Sequence, residues 1–255
     1  MFQFINNWLE RRIIRRSTIT AQQWSQAFAS LPLLKGLSAG EKQSLQELAI
    51  LLMDDKIFEG AKDFEITTEI ILIIALQACL PILNTGLRGY DGWYTVIVYP
   101  AGFSPLRVVR DEYGVEHRVR SNLSGEAWRR GPLVLSWLDT AHAGVIDGHN
   151  LVIHEFAHKL DMLNGDANGF PPLHVGMDSV KWAEAFSAGF EDFKHKCHRG
   201  KHTGIDCYGA TAPAEFFAVL SEVFFERPGI INKYYPDIYQ QLRLYYRQDP
   251  LKRLR

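Results

Sequence analysis

The stretch Asn150-Leu151-Val152-Ile153-His154-Glu155-Phe156-Ala157-His158-Lys159-Leu160-Asp161 decides how this chain is read. Four residues make about one helical turn, so His154 and His158 project from one face of a helix and can grip one ion between two imidazoles. Glu155 lies beside them, placed to take a proton from water at that ion. Asp147-Gly148 before the stretch and Asn164-Gly165 after it supply a helix start and a glycine stop. Leu151, Val152, Ile153, Phe156, Ala157, Leu160 and Leu163 spread over most of the helix circumference, which predicts a buried helix. Polar groups on a buried helix need partners. For His154, His158 and Asp161, aligned along one stripe, a metal backed by a carboxylate supplies them. The alternative is a pair of core histidines bonded to neighbours. His149, five residues before His154, faces elsewhere.

The spacing H-E-x-x-H is that of a zinc-dependent peptidase helix. Catalytic zinc takes three protein ligands and keeps a fourth position for water. The segment from Tyr208 to Glu226 offers the third. Pro213 suits a first helical turn, Pro228-Gly229 closes the helix, and Phe216, Phe217, Val219, Leu220, Val223 and Phe224 give it a broad apolar face. Glu215 is the candidate ligand, entering from a second helix in the gluzincin manner. Its alternative role is electrostatic, at the helix N-terminus. Glu222, seven residues on and so on the same side, is a candidate to orient a ligand histidine, or else part of a solvated face. His195, Cys197, His198, His202 and Cys207 are also zinc-competent. Their spacing is not C-x-x-C, and residues 195–202 read as a basic mobile loop.

A chain of 255 residues can bury a substantial core. The reading is a single domain over residues 1–255, with a helical N-terminal part (1–60) and a catalytic core with C-terminal helices (61–255). The net charge of −1 argues against nucleic acid as a direct ligand, because phosphate binding needs a basic surface. Cys79, Cys197 and Cys207 form no evident disulfide framework, which points to a reducing compartment. The first residues lack the marks of a signal peptide. The longest apolar run, Ile70 to Leu83, is too short to span a bilayer and reads as a buried helix starting near Thr67 or Thr68. The expected location is cytoplasmic.

Helices are expected over Thr20 to Ser30 and Ser38 to Asp54, each opened by a capping-box pattern, Thr20 to Gln23 and Ser38 to Glu41. The first 16 residues mix apolar and arginine side chains. They read as a helix packed on its own domain, with a membrane surface or partner as the alternative. Trp93 to Tyr99, Val115 to Arg120 and Leu133 to Trp137 read as strands, and Tyr234 to Tyr246 as a tyrosine-rich helix. The fold class is α+β.

Four segments together resemble the Mlc titration factor A family, also called DgsA anti-repressors, which are zinc metallopeptidases. They are His154 to Asp161, Tyr208 to Glu222, Gly131-Pro132-Leu133-Val134-Leu135-Ser136-Trp137-Leu138-Asp139, and Gln248 to Leu254. The match covers most of the chain beyond about residue 30. It implies that His154, His158 and Glu215 hold one zinc ion per chain, that Glu155 is the general base, and that Tyr208 is catalytic. The tyrosine role is similar to that in the anthrax lethal factor protease domain. The residue four beyond Glu215 is Val219, where thermolysin-like gluzincins carry an acid, so the chain is set apart from that branch. The resemblance further implies a zincin core with a small mixed sheet over the active-site helix, and Leu133 to Trp137 as the edge strand along which a peptide substrate lies. It favours aminopeptidase-like action. It also implies binding of the Mlc transcriptional repressor, with effects on glucose phosphotransferase genes. A non-enzymatic anti-repressor with a vestigial or partner-activated zinc site is the rival reading.

Overall fold

The computed structural model describes residues 2–102, 106–110, 116–120, 125–128, 131–141 and 145–254. Helices α1 (Phe2–Arg16), α2 (Ala21–Ala29) and α3 (Ala39–Asp55) lead into strand β1 (Ile57–Gly60). The capping boxes form as read: Thr20 accepts from Gln23 N and Ser38 from Glu41 N, each with the reciprocal bond. Helix α1 packs against α3. The part up to residue 60 is therefore not purely helical, because its last four residues pair with the sheet.

Helix α4 (Thr68–Cys79), capped by Thr67, is the buried helix expected from its apolar run. Strand β2 (Thr95–Tyr99) follows, then the hairpin β3 (Leu106–Arg110) and β4 (Glu116–Arg120). Val115, read as the start of β4, lies outside the described residues. Next come β5 (Gly125–Ala127), β6 (Leu133–Ser136) and the short α5 (Trp137–Ala141). The main sheet runs β1-β2-β6-β5, with β1, β2 and β6 parallel and β5 antiparallel to β6. Val96 and Val98 alternate inward on β2, while all four residues of β6 are buried. This corrects the sequence reading of 133–137. The strand is interior, β5 is the outer one, and Trp137 already begins a helix.

Helix α6 (Leu151–Asp161) packs against both the β5–β6 hairpin and helix α8 (Pro213–Glu226). Between α6 and α8 in sequence comes α7 (Ser179–His198), capped by Asp178. It takes in His195 to His198, so half of the 195–202 stretch read as a mobile loop is the last turn of a helix. The Tyr234–Tyr246 helix divides at Pro236 into α9 (Pro228–Tyr234) and α10 (Pro236–Tyr246), and α11 (Pro250–Arg253) ends the chain. No helix among the described residues is long and apolar enough to cross a membrane.

One contiguous core runs from Trp24 and Leu45 through α4, the sheet, α6 and α8 to Tyr246. Aromatic edges organise it beneath α6. The Phe156 ring lies 4.9 Å from Tyr90 and 5.6 Å from Trp93, contacts worth about 0.5–1.5 kcal/mol each beyond their burial. The C-terminal segment is bonded to this core: Gln248 Nε2 donates to Leu80 O (2.7 Å), and Ser221 Oγ shares a hydrogen bond with Tyr246 (2.7 Å).

Candidate metal centre

Helix α6 starts where Asn150 caps it, its side-chain oxygen accepting from Ile153 N at 3.0 Å. Residues 152–161 are all buried, so both histidines sit on an interior helix. They are packed edge to face, ring centroids 4.9 Å apart. Helix α8 opens with Pro213 and carries Glu215 in its first turn. Glu215 Oε2 lies 3.1 Å from His154 Nε2 and 3.3 Å from His158 Nε2. These three side chains each offer a ligand atom within 4.8 Å of the others.

The two histidines and the carboxylates around them are strongly coupled. Burial alone would lower the His154 pKa, but the Glu215 and Glu222 carboxylates outweigh it and hold the pKa well above the usual imidazole value. Burial pushes Glu215 up, yet its bonds to His154 and His158 hold it well below the usual carboxylate range. Two imidazole nitrogens and a carboxylate oxygen, converging from two helices, form a donor set that fits a metal ion such as zinc.

His154 is held from behind. Its Nδ1 is 2.7 Å from Glu222 Oε1, which leaves Nε2 facing the centre. Glu222 Oε2 in turn accepts from Asn150 N. Asn150 Nδ2 donates to Gln77 Oε1 (2.8 Å) and Glu226 Oε1 (3.0 Å), and Glu226 Oε2 accepts from Gly148 N (2.9 Å). Helices α4, α6 and α8 thus meet at one asparagine. Burial raises the Glu226 pKa to about 7 against the bonds from Asn150 and Gly148 that lower it.

Glu155 is buried beside the two histidines, and its Oε2 has no hydrogen-bond partner among the described residues. Burial raises its pKa to about 7. Gly125 of β5 lies directly against this carboxylate: a Cβ there would stand 2.3 Å from Glu155 Oε1. Lys159 anchors the same hairpin. Its Nζ donates to Trp128 O (2.6 Å) and Gly131 O (2.9 Å) and lies 4.4 Å from the Trp93 ring centroid.

Tyr208 stands at the rim, half exposed, its ring centroid 6.0 Å from that of His154. It belongs to a single turn, Cys207–Ala210, opened by Asp206, whose side chain accepts from Tyr208 N at 2.9 Å.

Asp161, read as lying on the histidines' stripe, bonds away from them. Its Oδ2 accepts from Asn168 N and Gly169 N, and His158 Nδ1 has no partner among the described residues. Cys197 and Cys207 are joined in a disulfide, so the cysteines are neither without a framework nor part of a second metal set. The end of α7 and the Tyr208 turn bring their Cα atoms to 5.7 Å, a tertiary proximity that a ten-residue spacing does not announce. His149, as expected, points away, towards Asp206.

Asn150, Glu226, Gly125 and Lys159 are the functional neighbours that the sequence reading missed. Asn150 was readable as a preferred cap before an apolar run. The other three act through contacts between distant segments.

Two histidines one turn apart, a glutamate between them and a third donor from a second helix define the class of metallopeptidases. The chain matches the family described as glucose-regulated metallo-peptidase M90 over residues 5–247, and it belongs to that family. Membership implies a metal ion at the centre. Relatives named Mlc titration factor A are similar along almost the whole chain. The one from Salmonella typhi is 40% identical over 235 residues, 91% of this chain and 88% of its own length. Those from Cronobacter sakazakii (strain ATCC BAA-894) and Escherichia coli (strain 55989 / EAEC) are each 39% identical, over 91% and 92% of this chain and 88% and 89% of their own.

Proposed function

We propose that this chain is a zinc-dependent peptidase, a single domain with a zincin core of the gluzincin-like kind, working in the cytoplasm. The observation that carries the reading is the convergence of His154 Nε2, His158 Nε2 and Glu215 Oε2 beside the buried Glu155. When bound there, zinc supplies Lewis acidity, which polarises a carbonyl and makes water a stronger acid. Glu155 takes the proton from that water and returns it to the leaving amine. Tyr208 donates a hydrogen bond from its hydroxyl to the oxygen that gains negative charge. Glu222 holds His154 in the tautomer that presents Nε2 to the centre. An extended peptide adds as a strand beside β5, the outer strand, whose Gly125 backbone lies on Glu155. The aminopeptidase-like mode rests on the family resemblance.

The name Mlc titration factor A, carried by the relatives, supports a second role: binding and sequestering an Mlc-type transcriptional repressor, and so regulating glucose phosphotransferase genes. The rival is a purely regulatory protein in which the metal centre does no hydrolysis.

Metal content and hydrolysis of a panel of free and blocked aminoacyl substrates, for wild type and Glu155→Gln, separate these readings. The expected result is about one zinc per chain in both proteins, with cleavage by wild type alone. Equal turnover by Glu155→Gln would remove Glu155 from the mechanism. Zinc without cleavage in either protein, together with capture of the repressor, would favour the regulatory reading.

A further inference from the structure

The turn that carries Tyr208 is held by packing on α7 and α8, by local hydrogen bonds and by one covalent link. It is one 3-10 turn, Cys207–Ala210, at the end of residues 199–206, which form neither helix nor strand and bend through positive φ at Gly200 and Gly204. Tyr208 itself is half exposed. Local bonds shape the turn: Thr211 Oγ1 donates to Tyr208 O at 2.7 Å, and Asp206 accepts from Tyr208 N. Gly209 seats it on the core, because a Cβ there would lie 3.3 Å from Val219 Cβ and 3.4 Å from the Phe193 ring. The covalent attachment is the Cys197–Cys207 disulfide. It joins the last turn of α7 to the residue immediately before Tyr208. Helix α7 is a firm anchor, with Trp182, Phe186 and Phe193 buried in the core.

The geometry points to Cys197 and Cys207 as a positioning pair for Tyr208: the disulfide holds the tyrosine over the metal centre, and its reduction releases the turn and slows the reaction. Cys207 is exposed and open to a reductant. Reduction by a dithiol takes two electrons and two protons to the two sulfurs. The Cys197–Cys207 bond breaks, two thiols form, and the dithiol leaves as its own disulfide. Where the surroundings are reducing, a disulfide is usually transient and regulatory rather than structural, so there the pair would tie activity to thiol redox state. The effect on turnover rests on the peptidase reading above; the release of the turn does not.

The test uses the full chain, oxidised and after treatment with tris(2-carboxyethyl)phosphine, with Cys197→Ser as a reductant-free counterpart. Amide hydrogen exchange across Cys207 to Thr211 should quicken about tenfold on reduction and in Cys197→Ser, while α6 and α8 and the zinc content stay unchanged. Loss of a single oxyanion donor costs about 10²-fold or more in kcat. A loosened donor should therefore cost about tenfold, with KM steady. In Tyr208→Phe, reduction should have no further effect on kcat. Unchanged exchange on reduction overturns the proposal. So does an equal loss of kcat in Tyr208→Phe, since the bond would then act through something else. If exchange responds but neither redox form hydrolyses anything, the tether stands and the peptidase reading falls instead.

Discussion

Gly125 and Glu155 touch so closely that no side chain fits between them. A Cβ at Gly125 would stand 2.3 Å from Glu155 Oε1 and 2.6 Å from its Cδ. The obstructing atoms are the end of a side chain rather than backbone, so the glutamate yields before the strand does. Gly125→Ala should therefore cost at most about 1–2 kcal/mol of stability. It should lower kcat far more, by about tenfold to a hundredfold, because the base is moved. Thermal melts set beside steady-state kinetics check this. A variant with full turnover would show that the carboxylate position is not critical.

Glu222 is tied to both His154 Nδ1 and Asn150 N. Carboxylates behind metal-bound histidines are typically worth about 10–100-fold in metal affinity. Glu222→Ala should weaken zinc binding by that factor in competition with a chromophoric chelator. It should also loosen the start of α6. Wild-type affinity in this variant would mean that the histidine needs no orientation from behind.

Lys159 bridges the active-site helix to the turn between β5 and β6. Lys159→Met would take the charged donor from Gly131 O and leave Trp128 O only its bond from Gly131 N, at about 1.5–3 kcal/mol for hydrogen bonds to a charged group. If β5 is where a peptide lies, the loss should appear mainly in KM for longer substrates. A fall in kcat alone, equal for all substrate lengths, would detach the hairpin from substrate binding.

Glu226 should write a signature into the pH dependence of stability. Its pKa rises from an ordinary 4.5 to about 7, chiefly through burial, with Asp147 and Glu222 adding repulsion and Asn150 and Gly148 opposing. Between those two values the folded protein holds a proton that the unfolded chain has released. Stability therefore falls as pH rises from about 4.5 to 7, by up to about 3 kcal/mol from this group. Glu226→Gln cannot titrate. Denaturant unfolding at a series of pH values should show wild type losing ground to the variant across that window. A constant difference between the two would show that Glu226 titrates normally.

Much of this was legible in the residues. The caps at Thr20, Ser38 and Thr67 and the apolar circumference of α6 and α8 are local signals, and each produced its helix. The converging donors, too, follow from helical spacing once two helices are placed together. Helix α7 could have been found from Trp182, Phe186, Phe190 and Phe193, which recur at helical intervals. Strand β1 gave less to read: four residues, mostly exposed, with Glu59 and Gly60 among them. The Gly125 contact, the Lys159 anchor and the disulfide arise only when distant segments meet, and no local pattern encodes them. The mistaken edge strand has the same origin, because β5 is only three residues long and its pairing with β6 depends on the turn between them.

The separation of the donors in the chain has a consequence for how the molecule is made. Glu215 lies 61 residues beyond His154 and 57 beyond His158. Synthesis runs from the N-terminus, so a growing chain carries both histidines long before their third partner exists. Through that interval the nascent protein has two imidazoles and the carboxylate between them, and no closed coordination shell. Capture of the ion by all three donors, and with it the proposed peptide cleavage, is deferred until the chain has been built through Glu215.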